Sequence, residues 1–429
     1  MTIYDTVILG GGVTGCTAAK ILAERGEKVC IVDSYPTLGG NHKSWTYGDI
    51  SFDIGSIFFW TGGDFFTAFP TAAAQCVPSP YTTQRIAPSR RVLKYPFDTR
   101  EEFFRKPLSY KVQVFLDILI SRLRYARPTS ALDFIQGRIG HRLTADSGLL
   151  NHIRRLFGLE ARDISVVLAE RRMGWVRDAS RLGSLWARLR KRPPVTDPRQ
   201  EARRCVARPR AGFGVMYAAV AQELRDCGVD ALLACTDLRL EQQEGLFVLQ
   251  AGGQQLSARN VLSTMPLTTT AALAGIEIEA PRSTTLYSLF CKSRGERGFA
   301  STVLYNFTDR AMWKRLTVHS DYYGRAPEGH EYFCIEIPSD HGDLDAETIM
   351  EDFRLSCRDF GIFQGELIFV DVVKTDFAYP VLSPASIAAS EAAIDRLEMM
   401  GIRMAGRQGR FDYIPSADSA VKKIYGAMM

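Results

Sequence analysis

The sequence predicts an α/β protein in which a doubly wound domain is interrupted by a second domain, and three observations carry that expectation. The chain opens on an apolar strand, Asp5-Thr6-Val7-Ile8-Leu9, that runs into Gly10-Gly11-Gly12-Val13-Thr14-Gly15. Lys28-Val29-Cys30-Ile31-Val32 then ends on Asp33, 18 residues beyond Gly15. Near the other end, Ile402-Arg403-Met404-Ala405 runs into a further glycine turn, Gly406-Arg407-Gln408-Gly409. Strand, glycine turn, helix, strand and terminal acid in register form the fingerprint of a Rossmann-like dinucleotide site.

Each position has a physical reason. Gly10 allows the tight turn, Gly12 leaves room for a pyrophosphate against bare backbone, and Gly15 lets the helix lie close on the sheet. Val13 and Thr14 open the helix, whose N–H groups and positive dipole end suit phosphate. Asp33, followed by Ser34, falls where a carboxylate accepts hydrogen bonds from an adenosine ribose, and an acid there disfavours a 2′-phosphate. Leu38-Gly39-Gly40-Asn41 supplies a second glycine pair, and two glycine turns near one nucleotide suggest a long cofactor.

The 429 residues allow two or more domains, and 46% hydrophobic content is that of a soluble globular chain. The first strand begins within a few residues of Met1, and no apolar run approaches the length of a membrane span, so a cytoplasmic protein is expected. Nine cysteines lie scattered without a C-x-x-C pair, and six histidines show no paired-ligand spacing. Metal sites and disulfide frameworks have no support. No G-x-S-x-G elbow appears.

The net charge of +5 is unevenly spread. Residues 171–210 hold 13 Lys/Arg against 3 Asp/Glu, which leaves the rest of the chain at −5. A solvated face is the ordinary reading, and an anion-attracting wall for a phosphorylated or carboxylated substrate, or for a membrane surface, is the functional one. Without interleaved aromatics or a binding module, nucleic acid is not an expected partner. The expected partner is a small molecule; oligomeric state is left open.

Further along, Pro107 to Arg127 carries Leu108, Val112, Phe115, Leu116, Ile118, Leu119 and Leu123 at helical spacings between basic residues. Core packing is the default reading of that amphipathic helix, with contact to a bilayer the less favoured one. Helical patterning continues from Ala131 to Ala187, with Asp133, Asp146 and Asp163 as caps or first-turn acids, until Pro193-Pro194 to Pro198 breaks it. Gly212-Phe213-Gly214 leads a helix to about Cys227, followed by strands near 231–240, 246–251 and 260–264. Short alternating strands are expected from Thr284 to Val373, and a helix from Ser416. The expected domains are 1–80, 205–280 and 375–429 for the nucleotide, and 81–204 with 281–374 for the substrate.

With these residues in view, the chain resembles the flavoenzyme superfamily of UDP-galactopyranose mutase, protoporphyrinogen oxidase-like proteins, amine oxidases and carotenoid desaturases. Gly39-Gly40-Asn41 is similar to the mutase form of the second glycine motif, and Ser263-Thr264-Met265-Pro266-Leu267 to the strand and turn that re-enter the cofactor domain. Ala378-Tyr379-Pro380 followed by Gly406-Arg407 and Phe411-Asp412-Tyr413 resembles the family turn that meets the flavin. The resemblance implies a GR2-type FAD-binding domain with an inserted α+β substrate domain. It implies FAD rather than NAD as cofactor, held by Gly10, Gly12, Val13, Thr14, Gly15, Asp33, Ser34, Gly39, Gly40, Asn41, Gly406, Arg407, Tyr413 and Asp418.

The implied enzyme is an FAD-dependent oxidoreductase that oxidises or desaturates a small to medium substrate, anionic substrates included, by hydride transfer to flavin N5. The alternative is a redox-neutral nucleotide-sugar mutase with reduced flavin as nucleophile. By resemblance, the pocket draws on Ile57, Phe59, Trp60, Tyr305, Arg315 and Tyr379. The mutase pattern has a histidine where this chain has Ile57, and that favours oxidation, because Ile57 to Trp60 would lay an apolar surface over N5. Lys43 and Lys374 are candidates to hold a water there, and no general base is assigned.

Overall fold

The apolar strand Ile3–Leu9 is buried along most of its length, as expected of a central strand covered on both faces. In the computed structural model, which describes residues 3–172, 204–339 and 342–429, it lies in a seven-stranded sheet. Val29–Val32 and then Asp230–Leu232 follow it in parallel on one side. On the other side Gln254–Ser263 pairs with it in parallel. The far edge of that strand is shared. Its first half takes the antiparallel hairpin Arg239–Gln243 and Leu246–Ala251, and its last three residues take Ile402–Met404 in parallel. Helix Val13–Glu24 connects the first two strands and buries Cys16, Ala18, Ala19, Ile21 and Leu22.

The chain forms two units. One comprises Met1–Ser79, Ala202–Arg282 and Ala385–Met429; the other comprises Pro80–Glu201 and Ser283–Pro384. The last crossing falls at Pro384 rather than near residue 375, because Phe363–Pro380 is one continuous strand hydrogen-bonded along its length to Ser283–Arg297.

The second unit is built on a seven-stranded sheet in the order Phe363–Pro380, Ser283–Arg297, Glu331–Ser339, Arg315–Val318, Val303–Asn306, Thr83–Ile86, Val92–Lys94. All neighbours are antiparallel except Val303–Asn306 with Thr83–Ile86. Ile335, Leu289, Leu304, Leu316 and Trp313 form its core with Ile349, Met350 and Phe353 of helix Ala346–Phe360.

Several expectations for this unit are corrected. Thr284 to Val373 holds the expected short strands only at Val303–Asn306 and Arg315–Val318; the rest is strands of 15 and 9 residues, the start of one of 18, and the Ala346–Phe360 helix. That helix starts where Asp345 accepts the Thr348 N–H, a cap signal followed by apolar residues at helical spacing. In the first unit, the helix Pro384–Met399 departs from the sequence pattern, because its small alanines and serines give little amphipathic contrast.

The helical stretch from Ala131 is divided into Ala131–Asp146, Leu149–Phe157 and Val166–Arg172, with positive φ at Gly148 and Gly158 bounding the middle helix and a further positive φ at Gly140 kinking the first. Asp133 completes a capping box with Ser130. Asp146 instead ends its helix and accepts the Tyr110 hydroxyl, and Asp163 lies in a turn. The strand expected at 231–240 is two, Asp230–Leu232 and Arg239–Gln243. Most of the basic 171–210 stretch, the Ala187 end of the helical pattern and the proline break lie outside the described residues.

Candidate functional site

The first unit gathers three glycine turns around one helix end. Gly10 turns out of the first strand at φ +100°, and a Cβ on Gly15 would stand 1.9 Å from the Gly10 carbonyl oxygen, so only glycine fits there. The helix that follows has Gly12 as N-cap, with no side-chain cap and no acid in its first turn. Its opening N–H groups are therefore left to a ligand or water.

Gly39 donates to the Gly11 carbonyl at 2.8 Å, and a Cβ on Gly40 would lie 3.1 Å from the Gly12 Cα. A Cβ on Gly406 would lie 3.0 Å from Thr14 Oγ1. Gly40 thus meets Gly12 backbone to backbone and Gly406 lies against the Thr14 side chain, with Val13 and Asn41 partly exposed beside them.

Asp33 closes the second strand and is 7% exposed. Its carboxylate accepts the Gly11 N–H at 2.6 Å and the Tyr35 N–H at 2.9 Å, which ties the strand tip to the glycine turn. Ser34 next to it is exposed.

His42 stands one residue beyond Asn41. Its ring stacks on Phe213 at 4.8 Å, and Nδ1 lies 2.6 Å from the Tyr217 hydroxyl. Burial first, and the Arg407 charge second, push its pKa down to about 4 against a weaker opposite pull from Asp53. His42 is neutral at pH 7. Below it Ser44 and Arg208 both bond the carboxylate of Asp53. Asp53 and Arg208 are fully buried, and the remaining guanidinium donors go to the carbonyls of Ser51, Pro209 and Arg210 and to the Ser51 hydroxyl. A buried ion pair is kept only when its donors are satisfied in this way.

The other sequence-selected residues fall differently. Tyr413 is buried in the segment after Gly406-Arg407, where Asp412 N–H returns to the Arg407 carbonyl at 2.9 Å. Asp418 accepts the Phe65 N–H at 2.9 Å at the start of the Asp64–Ala68 helix. Ile57 is wholly buried, and Phe59 is packed among His42, Phe65, Phe66 and Phe213. Neither presents a face to a ligand, so the expected apolar surface built on them is corrected to core packing. Trp60 is 43% exposed on an edge strand. Lys43 lies over the Tyr35 ring, and Lys374 pairs with Asp343 at 2.6 Å.

Tyr305, Arg315 and Tyr379 belong to the second unit, which brings them together. Strand register sets Tyr305 opposite Arg315 and Arg315 opposite Glu336, one row on one face of the sheet. Glu336 takes Arg315 Nε at 2.7 Å and Lys314 Nζ at 2.6 Å, and Lys314 also reaches the Tyr379 hydroxyl at 2.5 Å. Burial opposes the charge on Glu336, but Arg315 and Lys314 outweigh it and hold the carboxyl below its usual range. Tyr95 stacks on Tyr305 at 4.1 Å. Two cations against one carboxylate, framed by phenol rings, suit an anionic group joined to a planar one. The sequence reading missed Lys314, Glu336, Tyr95, Phe213, Tyr217 and the Asp53–Arg208 pair; only strand register and packing bring them in.

Among the described residues no group of three or more His, Cys, Asp or Glu could hold a metal, and no helix is long and apolar enough to cross a membrane.

Residues 8–70 match the family model of the NAD(P)-binding Rossmann-like domain. No curated protein matches the sequence. Among solved structures, the chain is similar to a reduced UDP-galactopyranose mutase, with 18% identity over 99% of this chain and 95% of that one and a TM-score of 0.76. It is similar to a putative protoporphyrinogen oxidase from Exiguobacterium sp. 255-15 at 14% identity over 99% and 98% of the two chains, TM-score 0.69. Cyclohexylamine oxidase from Brevibacterium oxydans IH-35A follows with 16% identity over 99% and 98%, TM-score 0.62. The chain therefore has a Rossmann-like domain within the mixed α/β fold shared by these mutase and oxidase structures.

Proposed function

We propose that the protein is a flavoenzyme that binds FAD without a covalent link in its first unit and acts as an oxidoreductase on a small to medium substrate. The observation that carries this reading is the meeting of Gly12, Thr14, Gly40 and Gly406 at one uncapped helix end. A cradle that a single Cβ would fill fits a pyrophosphate. A nicotinamide cofactor has no need of the two later turns, whereas a longer dinucleotide does. In this reading Asp33 and Ser34 hold the adenosine end, Val13 and Asn41 border the pyrophosphate, and Arg407 and His42 lie toward the ring system.

FAD, when bound, supplies two-electron redox chemistry. The chain's part is to bind, to orient and to exclude water. His42, uncharged and fixed at Nδ1 by Tyr217, is left to make a neutral hydrogen bond through Nε2, and Arg407 is the nearby positive charge that favours an electron-rich partner.

A second reading, redox-neutral rearrangement of a sugar nucleotide, is favoured by the Lys314, Arg315, Glu336 and Tyr305 row, which suits an anionic substrate. One anaerobic experiment separates the two. Cyclohexylamine or protoporphyrinogen that bleaches the yellow protein, with colour restored by an acceptor, supports oxidation. Isomerisation of UDP-galactopyranose only after dithionite reduction, without net electron transfer, replaces it with the mutase reading.

A further inference from the structure

Helix Leu108–Arg124 turns its apolar side outward. Leu108 is 75% exposed, Phe115 58% and Leu123 84%, and Val112, Leu116, Leu119 and Ile120 are also exposed. At 100° per residue these seven side chains fill one arc of about 140°. Only Val114 and Ser121 are buried, on the opposite side.

That inner side is already occupied. Asp117 accepts the Arg142 N–H at 2.8 Å, Tyr110 donates to Asp146 at 2.6 Å, and a Cβ on Gly140 would stand 3.3 Å from Ile118. The helix is thus fixed to Ala131–Asp146 by one face while its apolar face has no cover among the described residues.

The margins of the exposed arc are basic. Lys111 and Arg122 lie along one edge and Arg124 along the other, with Lys106 and Arg127 beyond the two ends. Asp117 is the helix's one acid, and it is turned inward. A second copy of this face would set cations against cations at both margins. An anionic lipid surface satisfies both the apolar arc and its rim. At 17 residues the helix is about 26 Å long, and it does not meet the requirements of a membrane span, so it would lie along the surface.

We propose that this face is an interfacial docking surface on which the protein rests against an anionic bilayer, with Phe115, Leu119 and Leu123 among the acyl chains and Lys111, Arg124 and Arg127 among the headgroups. The inference is independent of the cofactor and of the reaction.

The test is co-sedimentation of the full-length protein with large unilamellar vesicles of phosphatidylglycerol mixed with phosphatidylcholine, and with vesicles of phosphatidylcholine alone. The protein should pellet with the anionic vesicles and much less with the neutral ones. Lys111→Glu/Arg124→Glu/Arg127→Glu should weaken anionic-vesicle binding roughly a hundredfold. Phe115→Glu/Leu119→Glu/Leu123→Glu should abolish it, and Leu123→Glu alone, at the most exposed position, should weaken it without disturbing the fold. Absence of pelleting, equal pelleting by wild type and both triple variants, or vesicle-independent self-association lost only in the apolar variant would overturn the proposal.

Discussion

In the first unit Gly12, Gly15, Gly40 and Gly406 form a candidate site by having no side chains; in the second, Lys314, Arg315, Glu336 and Tyr305 form one by having them. The first arrangement is set by close approach: an added Cβ would meet main chain at 1.9 Å on Gly15 and 3.1 Å on Gly40 and the Thr14 side chain at 3.0 Å on Gly406, while Gly12 leaves 3.8 Å to the Gly40 Cα. The second is a balance of charges in a sheet, where each group is kept by its neighbours and losing one strands the others. A backbone site is therefore specific about shape, and a side-chain site about charge.

The comparison breaks first at Gly15. Gly15→Ala places a methyl 1.9 Å from the Gly10 oxygen, and the main chain must move. We expect a loss of on the order of 4 kcal/mol in denaturant unfolding; a loss near that of an ordinary surface change would show that the turn is pliable.

Glu336→Ala tests the other side. Removing the carboxylate leaves Lys314 and Arg315 close together without their anion, and we expect about 3 kcal/mol of destabilisation. Because the damage is electrostatic, Glu336→Gln should recover little of it, whereas the Lys314→Met/Arg315→Met/Glu336→Met triple variant should recover much. A triple variant as unstable as Glu336→Ala would mean that shape, not charge, governs this row.

A smaller effect is expected at His42 in the first unit. Its pKa in the folded state is about 4 against an ordinary 6.5, so between those values the unfolded chain binds more protons than the folded one. Stability rises with pH across that window and is lost on acidification through it. Discounted for partial exposure, its share is roughly 2 kcal/mol. His42→Gln should flatten the pH dependence of the unfolding midpoint between pH 6.5 and 4, and an unchanged slope would assign that dependence to other groups.

The same contrast explains what could be read from sequence. Gly10, Gly12, Gly15 and Asp33 are local, their spacing is set by one turn of chain, and the strand and helix around them follow. Ser416, which caps the final helix by accepting the Ser419 N–H, was equally legible. Glu336 was not, because its meaning comes from a register that pairs it with Arg315, 21 residues away, and with Ser288 on the other side. Ile57 misled for a related reason: apolar residues beside a glycine turn look alike whether they line a cavity or fill the core, and here Ile57 is fully buried. The Leu108–Arg124 helix shows the limit most clearly, since its seven-residue apolar arc has the pattern of a core-facing helix and the structure turns that arc outward.

Whether the glycine-built cradle holds FAD turns on what Gly12 permits. Gly12 has φ −72°, and a Cβ there would meet only the Gly40 Cα at 3.8 Å, so Gly12→Val leaves the protein able to fold while placing a branched side chain where the pyrophosphate would lie. The measurement is the amount of FAD released on denaturing the purified protein, identified by mass, with the circular dichroism of both proteins recorded first. About one FAD per wild-type chain is expected, and almost none from a folded Gly12→Val variant. A colourless wild type that binds NAD tightly, or a Gly12→Val variant that keeps its full complement of FAD, would contradict that expectation.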